Sequence, residues 1–321
     1  MDDILRFLAD GGYVSGEKIS AELGVSRAAV WKRIKGLKEQ GFAIESAGKK
    51  GYRLLAGDSL APALWTSTLT TRALGRGTVR YEAELTSTNT VLKEMAVQGA
   101  PHGSVCLCDC QTAGKGRLGR QWVSPAGQGL WCSVLLRPHL PPDKASLITL
   151  CAAMAMARAI AEVSPARPRI KWPNDLVLDG KKCTGILLEL AADPDRIEYV
   201  IVGTGVNLHP AAYPPELAKQ AVSLAEAGGA PLRRDLLTHY LAALESLMDT
   251  LETDGFDALL ADYEQSSCTL GSRVHVTGAV ELTGTAEAID DTGALLVRTD
   301  DGALHRVLSG DVSVRGVMGY A

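Results

Sequence analysis

The spacing of apolar residues changes twice along this chain, and this constrains its fold more than any other feature. From Gly16 to Leu37 apolar side chains recur on one face of a helical repeat. From Val79 to Tyr263 strand-like and helical runs alternate, and after residue 273 only short strand-like pieces remain, separated by Asp-Gly and Thr-Gly turns. A chain of 321 residues, 46% of them hydrophobic, can bury several such cores. We therefore predict an α+β multidomain protein with three domains, at residues 1–58, 64–266 and 268–321.

Charge is distributed unevenly between these parts. Residues 1–56 carry a net charge of +3 and the remainder carries −7, which gives −4 for the whole chain. Between Arg27 and Arg53 there are eight basic and two acidic residues. A basic module on an acidic body indicates an anionic partner for the N-terminal end, although Lys-rich helices also serve solubility.

The basic module has the pattern of two helices joined at a glycine. The first helix, Gly16 to Leu23, stops at Gly24, and Ser26 is placed to cap a second helix that continues to Leu37. Two short strands, 42–45 and 51–54, are predicted to form a hairpin wing. The pattern is that of a winged helix-turn-helix, in which small residues approach base edges and cations meet phosphates. Within a helix-turn-helix from Gly16 to Lys35, the predicted DNA-binding residues are Ser26, Arg27, Ala29, Lys32 and Arg33. The alternative is a three-helix packing module that does not bind DNA.

A glycine-rich cationic loop follows a strand in the middle part. Gln111 to Trp122 reads Gln-Thr-Ala-Gly-Lys-Gly-Arg-Leu-Gly-Arg-Gln-Trp, with three glycines, three cations and no acid. The next residues, Ser-Pro-Ala-Gly, cannot form the helix that a dinucleotide-binding fingerprint needs, and Asp109 and Gly116 break the P-loop pattern. Backbone N–H groups of such a loop can approach an anion while the cations add charge. We predict a flexible loop that folds over a phosphate-bearing intermediate; the alternative is a solvated surface loop.

Three further segments carry candidate chemistry. Lys171 ends a strand before Trp-Pro and predicts a fixed positive charge, which phosphoryl or nucleotidyl transfer needs at the developing oxyanion. Gly203-Thr-Gly-Val-Asn207 predicts a strand leading into a glycine-lined bend, where backbone can pack on a flat ring. Ser87-Thr-Asn89 lies at a predicted helix start, where capping alone would explain it.

Other features bear on the compartment. The most apolar run, Ala145 to Val163, contains charged and hydroxyl residues and predicts a buried core helix, not a membrane span. Seven irregularly spaced cysteines and an acidic start predict a reduced, cytoplasmic protein without a signal peptide.

Five motifs, taken in order, resemble those of biotin protein ligases. They are Ser87-Thr-Asn89, Gln111 to Trp122, Lys171-Trp-Pro-Asn-Asp175, Gly185-Ile-Leu-Leu-Glu189 and Gly203-Thr-Gly-Val-Asn207. With the N-terminal module, the whole chain resembles the bifunctional bacterial ligases that also repress biotin genes. The resemblance implies a mixed α/β, class II synthetase-like ligase domain and a small C-terminal SH3-like β-barrel. Leu118 departs from the family's loop, which is usually basic there.

The resemblance implies a two-step reaction. ATP, with Mg²⁺, and biotin give biotinyl-5′-AMP and pyrophosphate, and a lysine of a biotin carboxyl carrier domain then attacks the mixed anhydride. The implied catalytic residues are Lys171 and Arg117. The implied biotin-binding residues are Ser87, Thr88, Asn89, Gln111, Lys115, Gly116, Arg117 and Lys171. The implied ATP- and adenylate-binding residues are Arg117, Arg120, Trp122, Lys171, Asn174 and Asn207.

The implied partners are the carrier domain, operator DNA of biotin genes and, once biotinyl-5′-AMP is bound, a second copy of the chain; no membrane is implied. Two alternatives remain. A lipoate ligase also makes an acyl-adenylate on a related fold, and a biotin-sensing repressor could carry an inactive ligase domain. Intact Arg117 and Lys171 argue against the second of these.

Overall fold

The chain forms two compact units, Met1–Leu69 and Thr70–Ala321. The computed structural model describes residues 3–8, 12–39, 44–54, 58–310 and 312–316.

The first unit is a winged helix-turn-helix, as the sequence predicts. Its elements are α1 (Asp3–Leu8), α2 (Gly16–Leu23), α3 (Arg27–Glu39) and the antiparallel strands β1 (Ile44–Ser46) and β2 (Tyr52–Leu54). Gly24 ends α2 in the left-handed region at φ 62°, a conformation that favours glycine. Ser26 caps α3, because its hydroxyl accepts a hydrogen bond from the N–H of Ala29 at 3.2 Å. The first wing strand was predicted to begin at Phe42, which lies outside the described residues.

The second unit is built on a seven-stranded sheet. Its first elements are β3 (Val79–Leu85), α4 (Thr88–Val97), β4 (Val105–Gln111), β5 (Gly129–Leu136) and α5 (Ala145–Val163). The elements that follow are β6 (Arg169–Lys171), β7 (Asp175–Leu178), β8 (Lys181–Ala192), β9 (Ile197–Asn207), α6 (Pro215–Ala218), α7 (Arg233–Thr253) and α8 (Asp257–Ser266). The strand order is β3-β4-β5-β9-β8-β7-β6, with β3 and β4 parallel and the other neighbours antiparallel.

The apolar helix α5 has the predicted bounds. Within the described part of the chain, the segment Pro142–Val163 is the one helix whose length and composition would allow a membrane span, yet 67% of its apolar 18-residue stretch is buried inside the protein. It packs on α7 and on the sheet. The prediction of a buried core helix is therefore confirmed.

Two details of the central sheet differ from the sequence-based expectation. Gly203 to Asn207 is not a bend: it continues β9, because β5 pairs on one side of it and β8 on the other. The strand β7 was not predicted, since Asp175–Leu178 is too short to show a periodicity of its own.

The C-terminal segment is a five-stranded antiparallel sheet in the second unit. Its strands are β10 (Arg273–Gly278), β11 (Leu282–Ile289), β12 (Leu295–Thr299), β13 (Leu304–Val307) and β14 (Val312–Gly316). The short strands predicted from the turn residues are confirmed. The described pairings follow the order β13-β12-β11-β10-β14 and leave β13 and β14 at the edges, so they form an open sheet and not a closed barrel. Ser309 and Gly310, between the two edge strands, instead direct backbone carbonyls at Arg117.

The C-terminal sheet contacts the segment that carries Lys171. The N–H of Trp172 donates to the hydroxyl of Thr269 at 2.9 Å, and its indole N–H donates to the carbonyl of Gly293 at 3.1 Å. The N–H of Cys268 donates to the carbonyl of Ile170 at 2.9 Å. The short strand β6 and its following turn are thus held from the C-terminal side.

Candidate active site

A cavity of about 350 Å³ lies between the glycine-rich loop, the β6–β7 turn, the ends of β8 and β9, and β14. Its size falls in the range of small-molecule sites. Five cationic side chains line it, and they are Arg117, Arg120, Lys171, Lys182 and Arg315. Among the described lining residues the single carboxylate is that of Asp175. The cavity is therefore built to receive an anion.

Lys171 is the buried cation of this group, with 6% of its surface exposed. It ends β6 and lies opposite Asp175 in the β6–β7 ladder. Burial lowers the pKa of Lys171 to about 8; the nearby Asp175 opposes this shift, while Lys182 and Arg315 add to it. A bound anion would favour the charged form of this amine. The sequence singled out this residue as a fixed charge, and its location in the cavity agrees with that interpretation.

Lys182 is a second cation beside it that sequence reasoning missed. Its Nζ lies 2.5 Å from Oδ1 of Asp175 and 5.1 Å from the centroid of the Trp122 ring. In the sequence it is one of two adjacent lysines after a turn, with nothing to separate it from a solvated surface residue. Only the pairing of β7 with β8 brings it to the cavity.

The indole of Trp122 lies against two glycines on neighbouring strands. Gly185 of β8 and Gly205 of β9 face each other in the ladder. A Cβ at Gly185 would stand 2.8 Å from the ring, and one at Gly205 would collide with the indole nitrogen. Trp131 packs edge-on against the same indole, with centroids 6.4 Å apart. The glycines thus serve the close ring contact expected from the sequence, although the ring is one of the protein's own.

Arg117 joins three parts of the second unit. Its guanidinium donates to Oδ1 of Asn174 at 3.0 Å. It also donates to the backbone carbonyls of Ser309 and Gly310, between β13 and β14, and of Val312 at the start of β14. The contact with the C-terminal segment was not predicted, because nearly two hundred residues separate the partners.

The glycine-rich loop has a defined conformation. The N–H of Gly116 donates to the carbonyl of Arg120 at 2.7 Å, and that of Trp122 donates to the carbonyl of Gly114 at 2.9 Å. Leu118 has a left-handed backbone at φ 56° and a half-exposed side chain. A non-glycine residue in this region is uncommon and indicates a constrained loop.

Three of the predicted biotin-binding residues, Thr88, Asn89 and Gln111, belong to one hydrogen-bonded polar cluster. Oε1 of Gln111 accepts from the N–H of Thr88 at 2.9 Å, and its amide donates to Ser124 at 2.7 Å. The hydroxyl of Ser133 lies 2.7 Å from that of Thr88 and 2.6 Å from Oδ1 of Asn89. Of the predicted biotin set, Ser87, Thr88, Asn89, Gln111 and Lys115 do not line the described cavity, whereas Gly116, Arg117 and Lys171 do. The sequence did not point to Ser124 or Ser133.

Asn89 links this cluster to the lysine of the loop. Its amide donates to Glu189 at 2.7 Å, and Nζ of Lys115 lies 4.0 Å from the other oxygen of that carboxylate. Gly203 leaves room for Asn89, since a Cβ there would collide with the amide.

Ser87 occupies the capping position of α4 but its side chain makes no capping hydrogen bond. Gln111 takes that role, because it accepts from the first N–H of the helix. The simple capping interpretation of Ser87 is therefore wrong, and the reason is that a neighbouring strand supplies the acceptor.

Three polar atoms on residues that line the cavity are buried and have no hydrogen-bond partner among the described residues. They are Oδ1 of Asn207, Nε1 of Trp122 and the hydroxyl of Tyr213. Burial raises the pKa of Tyr213 to about 12. Buried polar groups are usually satisfied, so such atoms at a cavity are candidates for ligand contacts. Asn207 was predicted from the sequence, whereas Tyr213 was not.

The predicted DNA-binding residues lie at the start and on the outer side of α3. Arg27, Lys32 and Arg33 are exposed, and Ala29 is half-buried, while Val30, Ile34 and Leu37 form the buried stripe. Ser26 caps the helix with its hydroxyl.

Three family models match this chain. The Biotin/lipoate A/B protein ligase family matches residues 81–207, an HTH domain matches residues 1–53, and the Biotin protein ligase C terminal domain matches residues 269–315.

Full-length relatives and a solved structure agree with these matches. The bifunctional ligase/repressor BirA of Bacillus subtilis is 36% identical, over 97% of this chain and 98% of its own length. The bifunctional ligase/repressor BirA of Escherichia coli is 30% identical, over 97% of this chain and 96% of its own length. The biotin protein ligase of Aquifex aeolicus in complex with biotin and ATP superposes with a TM-score of 0.65 at 29% identity, over 74% of this chain and 99% of that one.

Proposed function

The chain belongs to the biotin protein ligase family, with the bifunctional ligase/repressors as full-length relatives, and from this premise we propose that it biotinylates a carrier protein and represses biotin genes. In the first step a carboxylate oxygen of biotin attacks the α-phosphorus of ATP, and pyrophosphate leaves. In the second step the amine of an acceptor lysine attacks the acyl carbon, and AMP leaves. The acceptor is a biotin carboxyl carrier domain of a carboxylase.

The observation that supports the ligase reaction best is the group of five cations around the cavity with Lys171 buried among them. A carboxylate and a triphosphate repel each other, so their encounter requires fixed positive charge. We assign Lys171 to the charge that develops at the α-phosphate. Lys182 and Arg315 add positive potential from two further strands.

Arg117 and the glycine-rich loop close the cavity in this proposal. The contacts of Arg117 with the carbonyls at Ser309 to Val312 support a loop that is fastened over the site. A mixed anhydride hydrolyses in water, so a fastened loop protects it. Arg120, which also lines the cavity, supplies a further donor for phosphate oxygens.

The nucleotide base is assigned to the end of β9. Oδ1 of Asn207 is an unsatisfied acceptor that an amino group of adenine can fill, and Trp122 offers an aromatic face. Asn174 is assigned to the nucleotide as well, since it lines the cavity and contacts Arg117.

Biotin is assigned to the polar cluster of Ser87, Thr88, Asn89 and Gln111, with Lys115 and Gly116 between it and the phosphates. Hydrogen bonds hold Thr88, Asn89 and Gln111 in fixed orientations, which suits recognition of a polar ring. In this proposal the carboxylate of biotin points toward Lys171.

Mg²⁺ enters this proposal with ATP. The described residues contain no cluster of three His, Cys, Asp or Glu side chains for a metal ion, but Mg²⁺ commonly needs only one carboxylate besides substrate phosphates. Asp175 is the carboxylate that fits, and the ion would neutralise phosphate charge there.

The first unit supports the repressor function. Its helix-turn-helix presents a basic helix, and a two-fold operator would require two copies of the chain, so we propose a homodimer when biotinyl-5′-AMP is bound. The domain bounds 1–58, 64–266 and 268–321 and the cytoplasmic location belong to the same proposal.

The enzyme function is tested by incubating the protein with ATP, labelled biotin and a purified carrier domain and measuring the label on the carrier. We expect the carrier domain to be labelled. A carrier variant in which arginine replaces the acceptor lysine should remain unlabelled. Labelling with lipoate but not biotin would favour a lipoate ligase, and DNA binding without any transfer would favour a repressor with an inactive ligase domain.

A further inference from the structure

One aromatic side chain on the basic helix of the first unit is largely open to solvent. Trp31 is 58% exposed and is the one aromatic among the exposed large hydrophobic residues in the described part of the chain. The other four tryptophans, at positions 65, 122, 131 and 172, are buried or half-buried. An exposed indole offers a large apolar area with little conformational entropy to lose, which makes it available to a partner.

The charges around Trp31 indicate the chemistry of that partner. On α3, Arg27 and Lys35 lie four residues before and after Trp31, so the three side chains share one stripe. Nζ of Lys35 is 5.8 Å from the centroid of the indole, within the range of a cation–π contact. All five cations of this helix (Arg27, Lys32, Arg33, Lys35 and Lys38) are exposed. A polyanion can contact the cations and the ring together, whereas an apolar protein pocket would have to desolvate the cations.

The wing lies on the same side of α3 as Trp31. Lys38, seven residues further along the helix and therefore on the same face, donates to the hydroxyl of Ser46 on β1 at 3.0 Å. The indole therefore lies on the helix face that also carries the contact of Lys38 with the wing; a winged helix contacts a duplex with its helix and its wing.

We propose that Trp31 packs on the apolar surface of bound duplex DNA, either deoxyribose carbons or thymine methyl groups, and supplies the non-ionic part of the contact. This inference rests on the DNA-binding part of the proposed function. It separates two contributions on one helix: the lysines and arginines bind phosphates, and the indole adds affinity that does not depend on counterion release.

The salt dependence of binding tests the proposal. The full-length protein, with biotin and ATP, selects duplexes from a random-sequence library, and the dissociation constant for a selected duplex is measured against salt. We expect Trp31→Ala to raise this constant about tenfold at every salt concentration without changing the log–log slope. Trp31→Phe should recover most of the loss, and Lys32→Ala should flatten the slope. Val97→Ala, which removes apolar surface from a residue that is 74% exposed in the other unit, is the matched control and should change neither quantity.

Two further measurements identify the surface and keep the test independent of folding defects. Replacing thymine by uracil in the duplex should weaken wild-type binding but not Trp31→Ala binding if methyl groups are the target, and should leave both unchanged if deoxyribose is. Bound duplex should also reduce the quenching of tryptophan fluorescence by acrylamide in the wild-type protein. The Trp31→Phe variant should lack the fluorescence component that the duplex shields.

The contradicting results are distinct. If the Trp31→Ala variant binds DNA as tightly as the wild type, or if DNA does not shield the wild-type Trp31 ring, this inference is wrong while the proposed DNA binding still holds. A change of oligomeric state at unchanged DNA affinity would assign the ring to a second copy of the chain and also overturns it. If the wild-type protein selects no duplex, the proposed DNA binding fails and this inference fails with it.

Discussion

Lys171 is a cation held almost out of contact with water, and its chemistry follows from that location. Desolvation disfavours the charged amine, which is why its pKa falls to about 8. The amine nevertheless remains charged at neutral pH. Because it is buried, water screens its attraction for an approaching anion only weakly. A buried lysine of this kind stabilises transition-state charge at low reorganisation cost.

Lys171→Ala should slow adenylate formation by about two to three decades, the scale for losing one preorganised charge-stabilising group. Transfer from pre-made biotinyl-5′-AMP should suffer less. Pyrophosphate release measures the first step and carrier labelling the second. Lys181→Ala, at an exposed lysine on β8, is the matched control and should retain both rates. Near-wild-type pyrophosphate release by Lys171→Ala would remove this residue from the first step.

The lowered pKa of Lys171 predicts a pH dependence for the unliganded enzyme. The amine is charged below a pKa of about 8 and neutral above it, so kcat/KM for adenylate formation should fall as pH rises through that value. Lys171→Arg, if active, should lose this fall, since arginine keeps its charge. A wild-type profile that stays flat from pH 7 to well above 8 would contradict the assignment.

At the scale of elements, Arg117 fastens the glycine-rich loop to carbonyls before and at the start of β14. Gly114 and Gly116 allow close backbone hydrogen bonds across the loop, and Leu118 adds no charge to it. Because Leu118 is uncharged, closure of this loop depends more strongly on the guanidinium of Arg117 than it would in a loop with a basic residue at position 118.

Arg117→Gly should release biotinyl-5′-AMP faster by about one to two decades, because a charge-assisted hydrogen-bond network is worth about 1.5–3 kcal/mol. The escaped adenylate should label lysines of bystander proteins. Stopped-flow dissociation and bystander labelling measure this, with Arg196→Gly at an exposed site as control. Wild-type release together with carrier-only labelling would show that this loop is not the gate.

The glycine pair of β8 and β9 carries a second prediction at this scale. Gly205→Ala places a methyl group against the Trp122 indole, so the ring must shift into the cavity or away from it. We expect the KM for ATP to rise about tenfold, in line with a misplacement of this size. Gly36→Ala, where the added methyl meets nothing within 4 Å beyond its chain neighbours and the nearby backbone of its own helix, should leave the KM unchanged. An unchanged KM in Gly205→Ala, with the fold checked by circular dichroism, would argue against Trp122 as part of the nucleotide site.

For the whole molecule, the uneven charge separates the two activities between the two units. Five cations of the first unit lie on α3, whereas five cations of the second unit line a cavity of an otherwise acidic body. An exposed patch attracts DNA through counterion release, while cations in a cavity act on a small ligand.

Lys32→Ala should therefore reduce the log–log salt slope of DNA binding by about one unit, the contribution of one phosphate contact. Carrier biotinylation should remain nearly unchanged, because the residue belongs to the other unit. Titration of the selected duplex at several salt concentrations, alongside a transfer assay, gives both values. If Lys32→Ala reduced carrier biotinylation as much as DNA binding, the assignment of the two activities to separate units would be contradicted.

The sequence alone was sufficient for features that depend on neighbouring residues. The cap at Ser26, the turn at Gly24 and the bounds of α5 follow from interactions within about one helical turn, and the structure confirms them. The order of the glycine-rich and Lys-Trp-Pro-Asn-Asp motifs was also enough to indicate the family, which the full-length relatives support.

Tertiary structure decided which distant side chains meet. Lys182 reaches Asp175 only through the β7–β8 register, and Arg315 lines the same cavity although it lies on β14, the last of the described strands. The carbonyls that Arg117 contacts are likewise remote in sequence. Local preferences act over a few residues, whereas strand register and the docking of the C-terminal sheet are set by burying surfaces that are far apart along the chain. The composition of the cavity therefore could not be predicted from any one segment, because it exists only where those surfaces meet.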